Sequence, residues 1–153
     1  MSSPKHVHHV EPKDPDFEQK VRESFSRQTL MTTIGATMTR VEPGTVEIRM
    51  PYDASLTQQN GFIHGGIITS IVDSACGYAA FTLTPPNHDV LAVEFKVNLI
   101  NPARGEEFVA TAHVLKAGKN LSFCEGKVFA ISEGHGPKLI AAMLSTIMSR
   151  MSD

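Results

Sequence analysis

One aspartate inside an apolar segment is the residue of this chain best suited to chemistry. Asp73 lies within the sequence IITSIVDSACGYAAF, and that stretch contains no lysine or arginine. A carboxylate buried there without a partner would carry a large free-energy cost. Because carboxylates kept in such settings are often catalytic, Asp73 is a candidate catalytic group. The competing interpretation is an ion pair with a basic side chain from elsewhere in the fold.

A second chemical feature stands at the beginning of the same segment, in the sequence His64-Gly65-Gly66. The first backbone N–H groups of a helix lack partners within the helix and carry partial positive charge. Such a donor suits an oxygen that becomes negative during a reaction, and glycine lets a ligand approach it closely. A tight loop-to-helix turn would also explain the glycines, so the motif gains weight from the Asp73 that follows it.

The spacing of these two features constrains how they act together. Asp73 lies eight residues after Gly65, which is about 12 Å along a helix that rises roughly 1.5 Å per residue. A nucleophile or base must come within about 3 Å of the atoms on which it acts. A site that uses both groups therefore takes them from different subunits, which predicts at least a homodimer with antiparallel helices across a two-fold axis.

The elements that position these residues can be read from the hydrophobic pattern. Residues Ile67–Leu83 are apolar on nearly every face and are closed by two prolines, which predicts a helix surrounded by other structure. Extended segments are predicted before it at Ala36–Val41 and Thr45–Met50, and after it at Val90–Asn101, Glu107–Ala117, Ser122–Ser132 and Lys138–Arg150. This order predicts an α+β domain in which an antiparallel sheet curls around a long central helix.

The N-terminal part is predicted as a tail followed by a helix. Residues 1–14 are expected to be flexible, and residues 15–153 to form a single domain. Phe17, Val21 and Phe25 recur every four residues, which predicts one amphipathic helix from Asp16 to about Leu30. His6, His8 and His9 could bind a metal ion, but a solvated tail is favoured because no carboxylate or thiol is placed to complete a site.

The charge and hydropathy of the chain argue against nucleic acid and membranes as partners. The formal net charge of −2 provides no basic field for nucleic acid, and no apolar run reaches membrane-spanning length. Cys76 and Cys124 lack metal-ligand spacing and are expected to be a reduced pair in a cytoplasmic protein. We expect no cofactor and no metal.

The order of these motifs resembles the PaaI-type branch of the hotdog-fold thioesterases. Gln58, then His64-Gly65-Gly66, then Asp73 in an apolar helix carry the resemblance, which extends from about Gly35 to Ser149. Val93–Asn98 with Asn101-Pro102-Ala103, and Ala112–Lys119, are similar to the family's strands after the helix. The resemblance implies an antiparallel sheet wrapped around a long central α-helix, and homodimers that commonly pair into homotetramers. It also implies acyl-CoA substrates and no metal.

The resemblance also implies catalytic roles. Asp73 would act as nucleophile or as general base toward water, while the Gly65 N–H would polarise the thioester carbonyl and His64 would shape its loop. Gln58 would position the water or the thioester, with Asn60 as the other plausible amide. Both mechanisms stay open, because Ala92 and Gly77 stand where some members carry hydroxyl residues.

Substrate-binding residues are expected in three places. Gly66 belongs to the same loop as Gly65, and small residues leave space for the acyl group at Ser74, Gly77, Ala92 and Val93. Lys116, Lys119 and Asn120 flank a glycine at a turn, where cations and backbone donors can meet the CoA phosphates. A charged hairpin turn without a ligand is the alternative.

Two other functions fit a hotdog fold. The first is a module that binds acyl-CoA without hydrolysing it, but such a module would not need Asp73. The second is a hydratase, which needs a histidine paired with an acid in a characteristic motif, and His64-Gly65-Gly66 does not resemble that motif. A thioesterase is therefore favoured, with aryl and fatty acyl groups both open as substrates.

Overall fold

The computed structural model describes residues 10–153, so His6, His8 and His9 of the predicted flexible tail lie outside the described part. Over residues 10–153 the chain forms three α-helices, which are α1 (Phe17–Ser26), α2 (Thr29–Thr33) and α3 (Gly65–Phe81). The same part of the chain forms six strands, which are β1 (Thr37–Glu42), β2 (Thr45–Pro51), β3 (His88–Leu99), β4 (Glu107–Ala117), β5 (Leu121–Ser132) and β6 (His135–Met151). A short 3-10 helix, Ala54–Leu56, lies in the loop before α3.

The strands form one antiparallel sheet in the order β1-β2-β4-β5-β6-β3. Five of them, β2 to β6, contact α3, which lies along the concave face of the sheet. The predicted α+β hotdog architecture is thus confirmed. Strand β3 is an edge, because within residues 10–153 it pairs only with β6.

Helix α3 is buried on most of its surface, as its uniformly apolar sequence predicts. Ile71, Val72 and Cys76 have no exposed surface. The sheet comes closest at Gly126 of β5, where an added β-carbon would lie 2.5 Å from Val72 Cγ2 and 2.9 Å from Cys76 Sγ. Glycine at this position therefore lets the strand backbone rest against the helix.

The single helix predicted from Asp16 to Leu30 is wrong, because the chain breaks between α1 and α2. Gln28 leaves the helical conformation, with φ −81° and ψ 93°. The physical reason lies in Met31, which is six residues after Phe25 and off the apolar stripe of a continuous helix. The break turns Met31 into the core, where it is 1% exposed.

Helix α1 is fixed to the end of α3 by a lysine. Lys20 Nζ forms an ion pair with Asp14 at 2.9 Å, and donates hydrogen bonds to Thr84 Oγ1 at 3.2 Å and to the carbonyl of Pro85 at 3.3 Å. It also lies 4.9 Å from the centre of the Phe81 ring. Asp14, which the sequence pattern placed at the end of the tail, is buried here.

No helix within residues 10–153 combines the length and the hydropathy that crossing a membrane would require.

Candidate active site

The start of α3 leaves one backbone donor free. His64 is the N-cap, and its Nδ1 accepts a hydrogen bond from the Gly66 N–H at 2.8 Å. The His64 N–H donates a hydrogen bond to the carbonyl of Leu56. Within residues 10–153 no acceptor is bonded to the N–H of Gly65, so this donor is available at the positive end of the helix.

Gly65 lines a cleft of about 410 Å³, here called the Gly65 cleft. Gln58 lines the same cleft, held by a short turn in which its N–H donates to the carbonyl of Phe62. The Gln58 Oε1 accepts a hydrogen bond from the Asn60 N–H. Asn60 is exposed in that turn and does not line the cleft. Of the two amides expected here, Gln58 is the one that the fold brings to Gly65.

Asp73 lines a second cleft, of about 270 Å³, here called the Asp73 cleft. Three parts of the chain enclose it: the middle of α3, the first half of β3, and the junction between α1 and α2. Its lining residues are Ser24, Gln28, Asp73, Ser74, Gly77, Tyr78, Asp89, Val90, Leu91 and Ala92. The expected acyl-pocket residues Ser74, Gly77 and Ala92 are therefore beside Asp73.

The Asp73 carboxyl has no partner within the described part of the chain. Its Oδ1 is buried without a hydrogen bond, and no basic side chain of residues 10–153 forms an ion pair with it. The ion-pair alternative raised by the sequence is thus absent from the described residues. Burial raises the pKa of Asp73 above its usual value of 3.8, because desolvation disfavours the charged form. A raised pKa makes the carboxylate a stronger base toward water.

The two cysteines do not offer a competing nucleophile. Cys76 and Cys124 are buried free thiols. Burial raises the pKa of each to about 12, and the thiolate is the reactive form of cysteine.

The two clefts lie at opposite ends of one strand. Leu99, at the end of β3, lines the Gly65 cleft, whereas Ala92 lines the Asp73 cleft. Seven residues separate them, which is about 23 Å at roughly 3.3 Å per residue of strand. The chain therefore presents a donor at one end of its edge strand and an unpaired carboxylate at the other end.

The remaining expected substrate residues lie outside both clefts within one subunit. Val93 occupies the bulge between Ala92 and Glu94 and is 56% exposed. Gly66 is exposed, and its N–H is occupied by His64. Lys116, Lys119 and Asn120 are exposed at the β4–β5 hairpin.

Six residues that line the Asp73 cleft were not predicted from the sequence: Ser24, Gln28, Tyr78, Asp89, Val90 and Leu91. The Ser74 Oγ donates a hydrogen bond to Gln28 Oε1 at 3.0 Å, and Ser24 Oγ lies 3.3 Å from the Tyr78 hydroxyl. One signal for Gln28 was present. It stands three residues after Phe25, where the apolar stripe of α1 would continue, and it is polar.

Comparison with known proteins agrees with this architecture. The profile of the thioesterase superfamily matches residues 60–136. A thioesterase family protein from Silicibacter pomeroyi has a similar crystal structure, with 48% identity, a TM-score of 0.87, and coverage of 89% of this chain and 99% of that one. The PaaI protein of Escherichia coli shares the fold at 16% identity, with a TM-score of 0.80 over 92% of this chain and 97% of its own.

Human acyl-coenzyme A thioesterase 13 is 34% identical over 88 residues. That match covers 57% of this chain and 62% of the human protein, so the chain spans somewhat less than two thirds of that relative.

Proposed function

Since the chain belongs to the thioesterase superfamily and is a thioester hydrolase, we propose that it cleaves acyl-CoA thioesters in sites shared between two subunits. The separation of the free Gly65 N–H from the unpaired Asp73 carboxyl carries this proposal, because each cleft holds only half of the groups that such a reaction needs. The acyl-CoA class is taken from the name of the human relative.

The dimer that we propose forms along strand β3. This edge exposes Phe95 at 43% and Leu99 at 57%, although both residues pair with buried residues of β6 on the helix side of the sheet. Apolar groups on that side are suited to cover by a second copy of α3. Antiparallel pairing of β3 with the partner's β3 would continue the sheet and remove the open edge.

Such a two-fold axis exchanges the two ends of the strand. The Gly65 cleft of one subunit then lies beside the Asp73 cleft of its partner. The thioester carbonyl oxygen would accept a hydrogen bond from the Gly65 N–H, and the partner's Asp73 would face the carbonyl carbon. Developing negative charge on the oxygen would be stabilised by the helix start.

Two balanced routes lead from this arrangement to the free acid. As a general base, Asp73 takes a proton from water positioned by Gln58, the resulting hydroxide adds to the carbonyl carbon, and the C–S bond breaks as the sulfur leaves and is protonated. As a nucleophile, Asp73 adds to the carbon and expels the CoA thiolate, and water then hydrolyses the mixed anhydride. Both routes require an ionised Asp73.

The CoA phosphates would lie near the β4–β5 hairpin. The Asn120 carbonyl accepts a hydrogen bond from the Ser149 N–H, and Ser149 pairs with Val90 near the start of β3. The hairpin thus belongs to the same end of the subunit as the Asp73 cleft. In the dimer this end faces the partner's Gly65 cleft, so Lys116 and Lys119 would be available to the CoA phosphates at its mouth.

A second interface would pair the dimers into tetramers. On the outer face of the sheet, Leu121, Met148 and Leu91 form an apolar row across three adjacent strands. Phe123 and Leu144 are exposed and flank this row on the same face. The apolar row that crosses these three strands is suited to burial against a second dimer.

The rival functions have less support. A module that only binds acyl-CoA has no use for an unpaired buried carboxylate, which costs stability. A hydratase would need a histidine free to act with the acid, whereas the His64 Nδ1 is engaged as the N-cap of α3 by the Gly66 N–H.

Hydrolysis can be tested by incubating purified protein with aryl- and alkanoyl-CoA esters and following free thiol with a chromogenic disulfide. Asp73→Ala should lose most activity, whereas Asp16→Ala, at an exposed acid outside both clefts, should retain it. If wild type releases no more CoA than Asp73→Ala on every ester, the thioesterase assignment fails.

A further inference from the structure

We propose that Gln28 determines acyl specificity by donating a hydrogen bond to an uncharged oxygen substituent at the far end of the acyl group. The inference rests on the proposed function, since it identifies which acyl group the Asp73 cleft accepts. Gln28 lies outside the part of the chain that matches the thioesterase superfamily profile, residues 60–136.

The amide of Gln28 is held in place with its donors unused. Its Oε1 accepts a hydrogen bond from Ser74 Oγ at 3.0 Å, which orients the side chain on the wall of the Asp73 cleft. Within residues 10–153 no acceptor is bonded to Gln28 Nε2. Two N–H donors of one fixed amide are therefore available beside the catalytic carboxyl.

Other polar groups line the same cleft, together with Gly77, Val90, Leu91 and Ala92. Ser24 and Tyr78 bring two hydroxyls within 3.3 Å of each other, and Asp89 lines the cleft near the start of β3. An alkyl chain placed here would remove water from the Gln28 donors and from Asp89 without offering them a hydrogen bond, which is unfavourable. A carboxylate substituent would meet two acids, Asp73 and Asp89. An uncharged hydroxyl or keto oxygen avoids both costs.

The volume of the cleft suits a compact acyl group. It measures about 270 Å³, several times the roughly 30 Å³ that a water molecule occupies. A short acyl group that ends in a hydroxyl or keto oxygen fits this space.

Matched substrates can test this inference. The pair 6-hydroxyhexanoyl-CoA and heptanoyl-CoA have the same number of non-hydrogen atoms and differ only in whether the terminal group is hydroxyl or methyl. The enzymes to compare are wild type, Gln28→Leu and the control Gln19→Leu. Gln19 lies on α1, is exposed, and bonds Glu23 away from the cleft.

Wild type should prefer the hydroxylated ester by about tenfold in kcat/KM, the size of one hydrogen bond. Gln28→Leu should reduce this ratio to about one, mainly through loss on the hydroxylated ester, and Gln19→Leu should keep it. Should Gln28→Leu fail to fold, Gln28→Met keeps the length of the side chain and carries the same expectation.

Two results would overturn the inference: a wild-type ratio of one or below, and a ratio that survives loss of the Gln28 amide. If the ratio survives while both esters lose the same activity, Gln28 is a positioning residue that acts through Ser74. Failure of the proposed function is distinct, since wild type would then hydrolyse all esters no faster than Asp73→Ala.

Discussion

Gly65 and Leu99 are in contact so close that a β-carbon on Gly65 would lie 2.6 Å from Leu99 Cδ1. The start of α3 and the end of β3 therefore meet at a position that only glycine can occupy without a shift. This contact sets the shape of the Gly65 cleft, which both residues line. The close contact with Leu99 thus explains why position 65 has no side chain, whereas the free N–H of Gly65 is the group proposed to bind the thioester oxygen.

Gly65→Ala should lower kcat/KM by about two- to fivefold, because the new methyl pushes the end of the Leu99 side chain aside and narrows the approach to the donor in the cleft that both residues line. Adding Leu99→Ala gives the new methyl room and should recover part of the activity. Gly65→Pro, which removes the N–H, should not be recovered by Leu99→Ala. Steady-state kinetics on one ester compares the variants. Recovery of the proline variant would contradict a role for the N–H.

Inactive subunits should complement each other. When Asp73→Ala and Gly65→Pro subunits are co-expressed with different affinity tags, each mixed dimer keeps one intact site built from the Gly65 of one subunit and the Asp73 of the other. About a quarter of wild-type activity is expected from random pairing, since half of the dimers are mixed and each has one of two sites. Doubly purified mixed dimers without activity would show that the site is not shared.

The activity should fall at low pH through the ionisation of Asp73. Burial raises the pKa of this carboxyl, and both catalytic routes need it ionised. The acidic limb of kcat/KM against pH should therefore have its midpoint above 3.8, the ordinary value for aspartate. Asp73→Glu is the comparison variant, because it should shift the midpoint of the acidic limb and leave the rest of the pH profile unchanged. A limb at or below the ordinary value would contradict the buried setting.

The same burial predicts a gain in stability when Asp73 is neutralised. For an acid whose pKa is raised by folding, the native state binds more protons than the unfolded state, so stability is lost as pH rises through the two pKa values. Asp73→Asn should accordingly raise the Tm at neutral pH while lowering activity. The gain should shrink toward acidic pH, where Asp73 is protonated. Differential scanning calorimetry at several pH values measures this, with Asp16→Asn as the exposed control.

Much of the fold was predictable because its signals are local. Helix α3 is apolar on nearly every face and ends before two prolines, and glycines, prolines and polar residues separate the strands. The single helix predicted over residues 16–30 is wrong because the signal for its break is not local. Its break serves the burial of Met31 against the core, a long-range contact that the pattern of Phe17, Val21 and Phe25 does not contain.

The sequence alone determined the two chemical features of α3 and the distance between them, because eight residues of helix have one length whatever surrounds them. Only the tertiary structure decided which neighbours each feature has. It placed Gln58 rather than Asn60 beside Gly65 and left Asp73 without a cation within the described residues. It also brought Gln28 to Ser74 across 46 residues of chain. Such contacts depend on how helices and strands pack, and residues far apart in the chain meet only when the core closes.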